Sequence, residues 1–305
     1  MGGPLRRARH EALHLAARGF LAAGGALPLA ATRPVGAAAG RLALLLAGTD
    51  RRRAREHLAM AFPELSPERR ERILRETARH LGFTLAEVAW LWRAAPDDVD
   101  RLVETEGFHH LEKALEAGRG AVLVTGHLGN WELLNARLAT AGIPMSIAVR
   151  EIYDPRLHVL ATRLRSRFGT EVIPRGAEAG RRLAGALRRN RVVGLLIDQD
   201  IRDVSGVFVP FFGRPAWTPL GAAMLALRNG APVIPAFCHR RPDGTHLARA
   251  LPPLPPPGGT SLRERVRELT ARATAAIEAQ IREHPEQWVW MHRRWRTRPP
   301  ENAAS

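Results

Sequence analysis

Apolar positions along the first hundred residues recur at helical spacing. In "SPERRERILRETARHLGFTLAEVAWLWRA", Ile73, Leu74, Ala78, Leu81 and Leu85 share one helical face. Ser66, Pro67 and Glu68 supply an N-cap, a first-turn proline and a first-turn acid. The pattern predicts helix from residue 1 to about 105. From Gly120 onward it changes. "AVLVT" (121–125), "MSIAV" (145–149), "TEVIP" (170–174), "VVGLLID" (192–198) and "APVIPAF" (231–237) read as buried strands. Helical stretches near 130–141, 154–168, 177–190 and 219–229 separate them. This alternation predicts an α/β core, a central and mostly parallel sheet flanked by helices, behind a helical N-terminal region. "LPPLPPPGG" (251–259) reads as a stiff surface connection, followed by a last helix at 261–283 and then "PEQWVWMHRRWRTRPP".

The N-terminal stretch "LHLAARGFLAAGGALPLAATRPVGAAAGRLALLLAG" is apolar, but Arg18, Arg33 and Arg41 interrupt it. Its longest early uncharged run, Gly19 to Thr32, is too short for a bilayer and is broken by Gly24, Gly25 and Pro28. The arginines also fit a cleaved signal peptide poorly. Two readings remain: an interfacial helical anchor whose arginines snorkel to headgroups, or core helices rich in small residues.

A composition of 45% hydrophobic and 25% charged residues belongs to a folded chain, and 305 residues bury a large core. The formal net charge is +16, and nearly all the positive charge is arginine, since Lys113 is the only lysine. Such an excess predicts attraction to something polyanionic: nucleic acid, an anionic membrane surface or an acidic carrier protein. The single cysteine, Cys238, excludes a disulfide within the chain and any cysteine-based metal framework.

The candidate chemistry centres on "AVLVTGHLGNWELL". His127 follows a strand's carboxyl end, where α/β proteins bind ligands. Asn130 is placed to cap the next helix, with Trp131 and Glu132 in its first turn. A carboxylate there can hold one ring nitrogen of His127 and leave the other to take a proton. Gly126 and Gly129 allow close backbone approach. In "LLIDQD", Asp198 and Asp200 follow another strand end, Asp198 first by its position. Arg150 and Arg175 end two further strands, and Arg165 lies in "LRSRFG" with Arg163 and Arg167 close in register. Guanidinium groups there suit phosphate. "VFVPFFG" (207–213) is uncharged, and its Phe208, Phe211 and Phe212 either line an apolar groove or belong to a core strand. Trp288, Trp290 and Trp295 are combined with Arg293, Arg294, Arg296 and Arg298, a mixture suited to a membrane interface or to single-stranded nucleic acid. No recognised nucleic-acid-binding motif accompanies it.

"GRGAVLVTGHLGNWELL" resembles the lauroyl/myristoyl (late) acyltransferases of lipid A biosynthesis, within the bacterial acyltransferases that carry an H-x4-D/E signature. The resemblance continues, in the same order, through "AFPELSPERRERI", "DQDIRDVSGVFVPFFGRPAWTPLGAAMLALRNGAPVIPAF" and "PEQWVWMHRRWRTRP". One departure is His57 in "REHLAMAFPEL", where family members often have asparagine. The resemblance implies a glycerol-3-phosphate-acyltransferase-like fold. It implies transfer of a fatty acyl group from an acyl-carrier-protein thioester to a hydroxyl of a lipid A precursor, with neither cofactor nor metal. His127 is then the general base and Glu132 orients it; Arg165 and the acids of "LLIDQD" match positions the family also uses. Residues 1–50 are expected to be a membrane-associating helical segment and residues 51–305 the acyltransferase domain. Within the latter come a helical lead-in (51–105), an α/β core (106–250) and a C-terminal helix with its Trp/Arg tail (260–298). The implied location is the cytoplasmic face of the bacterial inner membrane, peripheral or with one N-terminal anchor. Two alternatives are acyl-CoA-dependent acylation of another anionic glycolipid, such as a phosphatidylinositol mannoside, and a basic nucleic-acid-binding protein. With the family resemblance in hand, no nucleic-acid partner is expected.

Overall fold

A computed structural model describes residues 4–300, so the outermost residues of the two expected segments lie outside it. Four helices come first: α1 (Pro4–Ala26), α2 (Leu29–Leu46), α3 (Gly48–Ala61) and α4 (Pro67–Leu91). Ser66 caps α4 by accepting a hydrogen bond from the Arg69 amide, with Pro67 in the first turn, as the sequence predicts. Then follow α5 (Pro96–Leu102), β1 (Val103–Glu106), α6 (His109–Glu116), β2 (Ala121–Thr125), α7 (Trp131–Thr140), β3 (Met145–Val149), α8 (Pro155–Ser166) and β4 (Glu171–Pro174). The chain continues through α9 (Ala179–Arg188), β5 (Val192–Leu196), β6 (Gly206–Phe211), β7 (Arg214–Pro219), α10 (Gly221–Asn229) and β8 (Val233–Arg240). It closes with β9 (His246–Ala250) and α11 (Leu262–Glu283).

Seven strands form one sheet in the order β1-β9-β8-β2-β5-β3-β4, parallel except where β9 runs against β8. The five strands read from periodicity are all in it. β1 and β9 are additions at its edge: "VETE" and "HLARA" are short and each carries charged or polar residues, and β1 falls almost wholly inside the expected helical lead-in. β6 and β7 form a separate antiparallel hairpin. Every residue of β2 is buried, and its alternation divides the core into two layers. Val122 and Val124 pack with α3, α4, α9, α10 and α11, whereas Ala121 and Leu123 pack with α5, α6 and α7.

One side of α2 packs into the fold and the other is exposed. Gly36 and Gly40 press backbone to backbone on α4: a Cβ on Gly40 would lie 2.1 Å from the Ala78 carbonyl oxygen, and one on Gly36 2.3 Å from that of Gly82. The opposite side keeps its apolar surface bare, with Val35 70% and Leu46 77% exposed. By length and composition α2 is long and apolar enough to cross a membrane.

The C-terminal "WVWMHRRW" is core, not a surface belt. Trp288, Trp290 and Arg294 are fully buried, and Arg294 donates to the Trp217 carbonyl and the Thr218 hydroxyl at the hairpin. His57 is buried beneath it, its Nδ1 2.9 Å from the Trp290 carbonyl oxygen.

Buried histidines give the fold a testable acid sensitivity. Burial, with neighbouring positive charge, lowers His80 and His239 to about 3 and His292 to about 4, from an ordinary 6.5. The unfolded chain therefore binds these protons first. Their contribution to stability is complete above about pH 6.5 and falls as the pH drops towards 4. Denaturant midpoints measured between about pH 7 and 5 should decline as the unfolded chain takes up protons on these histidines. A midpoint indifferent to pH over that range would contradict the assignment.

Candidate active site

β2 delivers the chain to Gly126 and His127 at the carboxyl edge of the sheet, and the corner that follows is tightly constrained. Gly129 adopts φ +61°, and a Cβ there would lie 1.9 Å from the Cys238 carbonyl oxygen. Its amide donates to the Gln287 carbonyl and the Asn130 amide to that of Cys238, both at 2.9 Å. Asn130 caps α7 as expected, its side-chain oxygen accepting from the amides of Glu132 (3.1 Å) and Leu133 (3.0 Å).

The carboxylate on His127 is Asp198, and this corrects the expectation for Glu132. Parallel pairing sets Thr125 opposite Leu196, so the residues two places beyond each strand end meet. His127 Nδ1 lies 2.8 Å from Asp198 Oδ1, while Asp198 Oδ2 accepts from the His127 amide (2.7 Å) and from Trp288 Nε1 (2.9 Å). Burial opposes ionisation of Asp198. The adjacent His127 and His292, with the hydrogen bonds from His127 and Trp288, outweigh it and hold the carboxyl well below its ordinary range. An ionised Asp198 accepts from Nδ1–H and leaves Nε2 of His127 with its lone pair.

Glu132 turns the other way. Arg165 on α8 grips it through Nε (3.0 and 3.1 Å) and a terminal nitrogen (2.6 Å), a fork-shaped pairing that ties the first turn of α7 to α8. Arg165→Met strands a nearly buried carboxylate and should lower stability by about 3 kcal/mol. Arg165→Met combined with Glu132→Gln should recover most of that loss. Additive losses in denaturant melts would show the pair uncoupled.

Two residues missed at the sequence level complete the site. The Gln199 amide donates to His127 Nε2 at 3.1 Å and to His292 Nε2 at 2.8 Å. His292 faces His127, with ring centroids 4.8 Å apart. Gln199 lies within "LLIDQD" and His292 within the Trp/Arg tail, neutral members of motifs whose charged and aromatic residues carry the stronger signal.

The remaining candidates divide. Arg150 and Arg175 sit side by side beyond β3 and β4, the Arg175 amide donating to the Val149 carbonyl at 2.8 Å. Burial and the like charge of Arg150 lower the Arg175 pKa. Asp200 stands apart from His127 and fixes the tail, accepting from the Thr297 amide (2.6 Å) and hydroxyl (2.9 Å). Phe211 and Phe212 are buried in the core, and Phe208 is half-buried against Trp217. Cys238 is buried and burial pushes its thiol pKa up, as suits a packing residue and not a nucleophile.

The mostly parallel sheet carrying this histidine–aspartate pair at its carboxyl edge is of the α/β class, and comparison with known proteins makes the protein an acyltransferase. The family model described as bacterial lipid A biosynthesis acyltransferase matches residues 4–297, and the chain belongs to that family. Among its relatives is the lipid A biosynthesis lauroyltransferase of Escherichia coli (strain K12), 31% identical over 282 residues, 90% of this chain and 88% of the relative. The lipid A biosynthesis palmitoleoyltransferase of the same strain is 31% identical over 250 residues, 81% of this chain and 78% of the relative. A phosphatidylinositol mannoside acyltransferase of Mycolicibacterium smegmatis (strain ATCC 700084 / mc(2)155) is 31% identical over 224 residues, 70% of this chain and 71% of the relative.

Proposed function

We propose that the protein moves a fatty acyl group from an acyl-carrier-protein thioester to a hydroxyl of a lipid A precursor, with His127 as general base. One observation carries this reading: His127 Nδ1 lies 2.8 Å from Asp198 Oδ1, and Nε2 lies 3.1 Å from the Gln199 amide nitrogen. An acceptor hydroxyl displaces that amide and gives its proton to Nε2 as its oxygen attacks the thioester carbonyl. The tetrahedral oxyanion collapses, the C–S bond breaks, and the leaving thiolate takes the proton back from Nε2. Ester and free thiol are the products, and no acyl-enzyme forms. Glu132 and Arg165 hold the start of α7 in place for this chemistry.

The other expected site residues take supporting parts. Arg150 and Arg175 meet phosphate on the acceptor, Phe208 contributes apolar surface to the acyl chain, and Asp200 secures the segment bearing His292. Residues 1–50 attach the acyltransferase domain to the cytoplasmic face of the inner membrane through the bare side of α2. The +16 charge favours both an acidic carrier protein and an anionic lipid surface.

The mycobacterial relative motivates a second reading, acyl-CoA as donor and a phosphatidylinositol mannoside as acceptor. The purified protein offered both thioesters and both acceptors, with products read by mass spectrometry, separates the two. Acylated lipid A precursor from the carrier-protein thioester is the expected product, and exclusive acylation of the mannoside would replace the first reading with the second. Arg150→Gln with Arg175→Gln should raise KM about tenfold for a phosphorylated acceptor and leave the dephosphorylated one unchanged.

A further inference from the structure

Glu87, on α4, is the most enclosed carboxylate outside the His127–Asp198 pair, and the chemistry above makes no use of it. It is fully buried, and four elements converge on it. Arg240 of β8 binds both oxygens, Arg33 of α2 donates from Nε at 2.9 Å to Oε1, and Asn130 donates from Nδ2 at 2.8 Å to Oε2. His246 of β9 lies 3.4 Å away. Arg33 is also tied on its far side, donating to the Gly244 carbonyl at 2.7 Å.

The contact with Asn130 reaches the active-site corner directly. An asparagine amide has one oxygen and one NH2, so fixing the NH2 fixes the oxygen. Because Glu87 accepts from Nδ2, Oδ1 must face the amides of Glu132 and Leu133, the orientation in which Asn130 caps α7. The capped turn begins with Trp131, whose ring packs edge-on against His127 at 5.0 Å between centroids. The orientation of Asn130, and with it the wall behind the His127 ring, thus depends on where the Glu87 carboxylate sits. Arg33 holds that carboxylate from one side and Arg240 from the other.

We infer that Arg33 is a positioning residue for catalysis, acting through Glu87 and Asn130 on the corner that carries His127, so that α2 is part of the catalytic scaffold as well as a lipid-facing helix. The inference rests on the reading of His127 as the base. It separates two roles of one helix. Arg33 points into the protein towards Glu87, while Leu42, Leu45 and Leu46 are exposed. Removing Arg33 should also be survivable for the fold. Glu87 keeps Arg240 on both oxygens and Asn130 on Oε2 when Arg33 is gone.

The test uses the full chain in detergent, a detergent-dispersed acceptor, and cosedimentation with vesicles of phosphatidylethanolamine and phosphatidylglycerol. Arg33→Met should lower kcat roughly tenfold to a hundredfold, because displacements near 1 Å have effects of that size. Donor KM and vesicle binding should stay as in the wild type. Arg33→Lys, which restores the charge but not the fork, should recover part of the loss. Leu42→Ser, Leu45→Ser and Leu46→Ser together should show the reverse, weaker vesicle binding with kcat unchanged on the dispersed acceptor. Wild-type kcat in Arg33→Met overturns the inference, as does a loss that only parallels lost vesicle binding. If Arg33→Met does not fold, wild-type kcat in Arg33→Lys overturns it. A His127→Ala control that stays active would instead remove the reading of the site itself, a distinguishable failure.

Discussion

His127→Ala should lower kcat by about 10³-fold, some 4 kcal/mol of transition-state stabilisation, with little change in thermal stability. The proton of the acceptor hydroxyl then has no nearby base, and the thiolate loses its proton source. Stability is spared for a structural reason. Asp198 still accepts from the backbone amide of residue 127 and from Trp288 Nε1, so the truncation does not strand a buried charge. The lost side chain is only partly buried, with 22% of its surface exposed, so the space it leaves opens to water. Gln199 loses one acceptor and keeps His292. A steady-state assay beside a thermal melt checks both halves. An alanine variant within a few-fold of wild-type kcat would mean that another group takes the proton.

How much of this site is legible in the sequence depends on how local each part is. The strand "AVLVT", the glycines of the corner and the Asn130 cap are set by neighbours in the chain, and they appear as read. The partner of His127 is not local. Glu132 is five positions away, but the first turn of α7 aims it at Arg165, whereas Asp198 lies 71 positions away and is brought alongside by the register of β2 on β5. Sequence proximity favoured one carboxylate and strand pairing chose the other. The tryptophan–arginine tail carries a related lesson. Aromatic and cationic residues side by side suit a lipid interface by composition, yet Trp288 and Arg294 are buried, and the tail is tied to α3 through Arg53 and His57 and to the hairpin through Arg294. In α2 the small residues and the leucines lie on different sides of one helix, the first packed against α4 and the second exposed.

Asp198→Asn should be nearly as damaging as loss of the histidine, about 10³- to 10⁴-fold in kcat with KM little changed, although it alters one atom. The effect follows from the donors around the carboxylate. Oδ2 accepts from two fixed donors, the His127 amide and the Trp288 indole, and Oδ1 meets Nδ1 of the imidazole. In asparagine the remaining oxygen is drawn to the side with two donors, because an NH2 there would face both of them without an acceptor. The NH2 must then face Nδ1, which can only accept it as a bare lone pair. The ring proton moves to Nε2, the nitrogen the reaction needs free, and the base is held in the wrong tautomer. Trp288 and the backbone keep their acceptor, so the thermal midpoint should fall far less than activity does. Nitrogen-15 spectra of the labelled imidazole would show the protonated nitrogen changing from Nδ1 to Nε2. An Asp198→Asn enzyme that keeps Nδ1–H and wild-type kcat would show that this carboxylate does not set the state of the base.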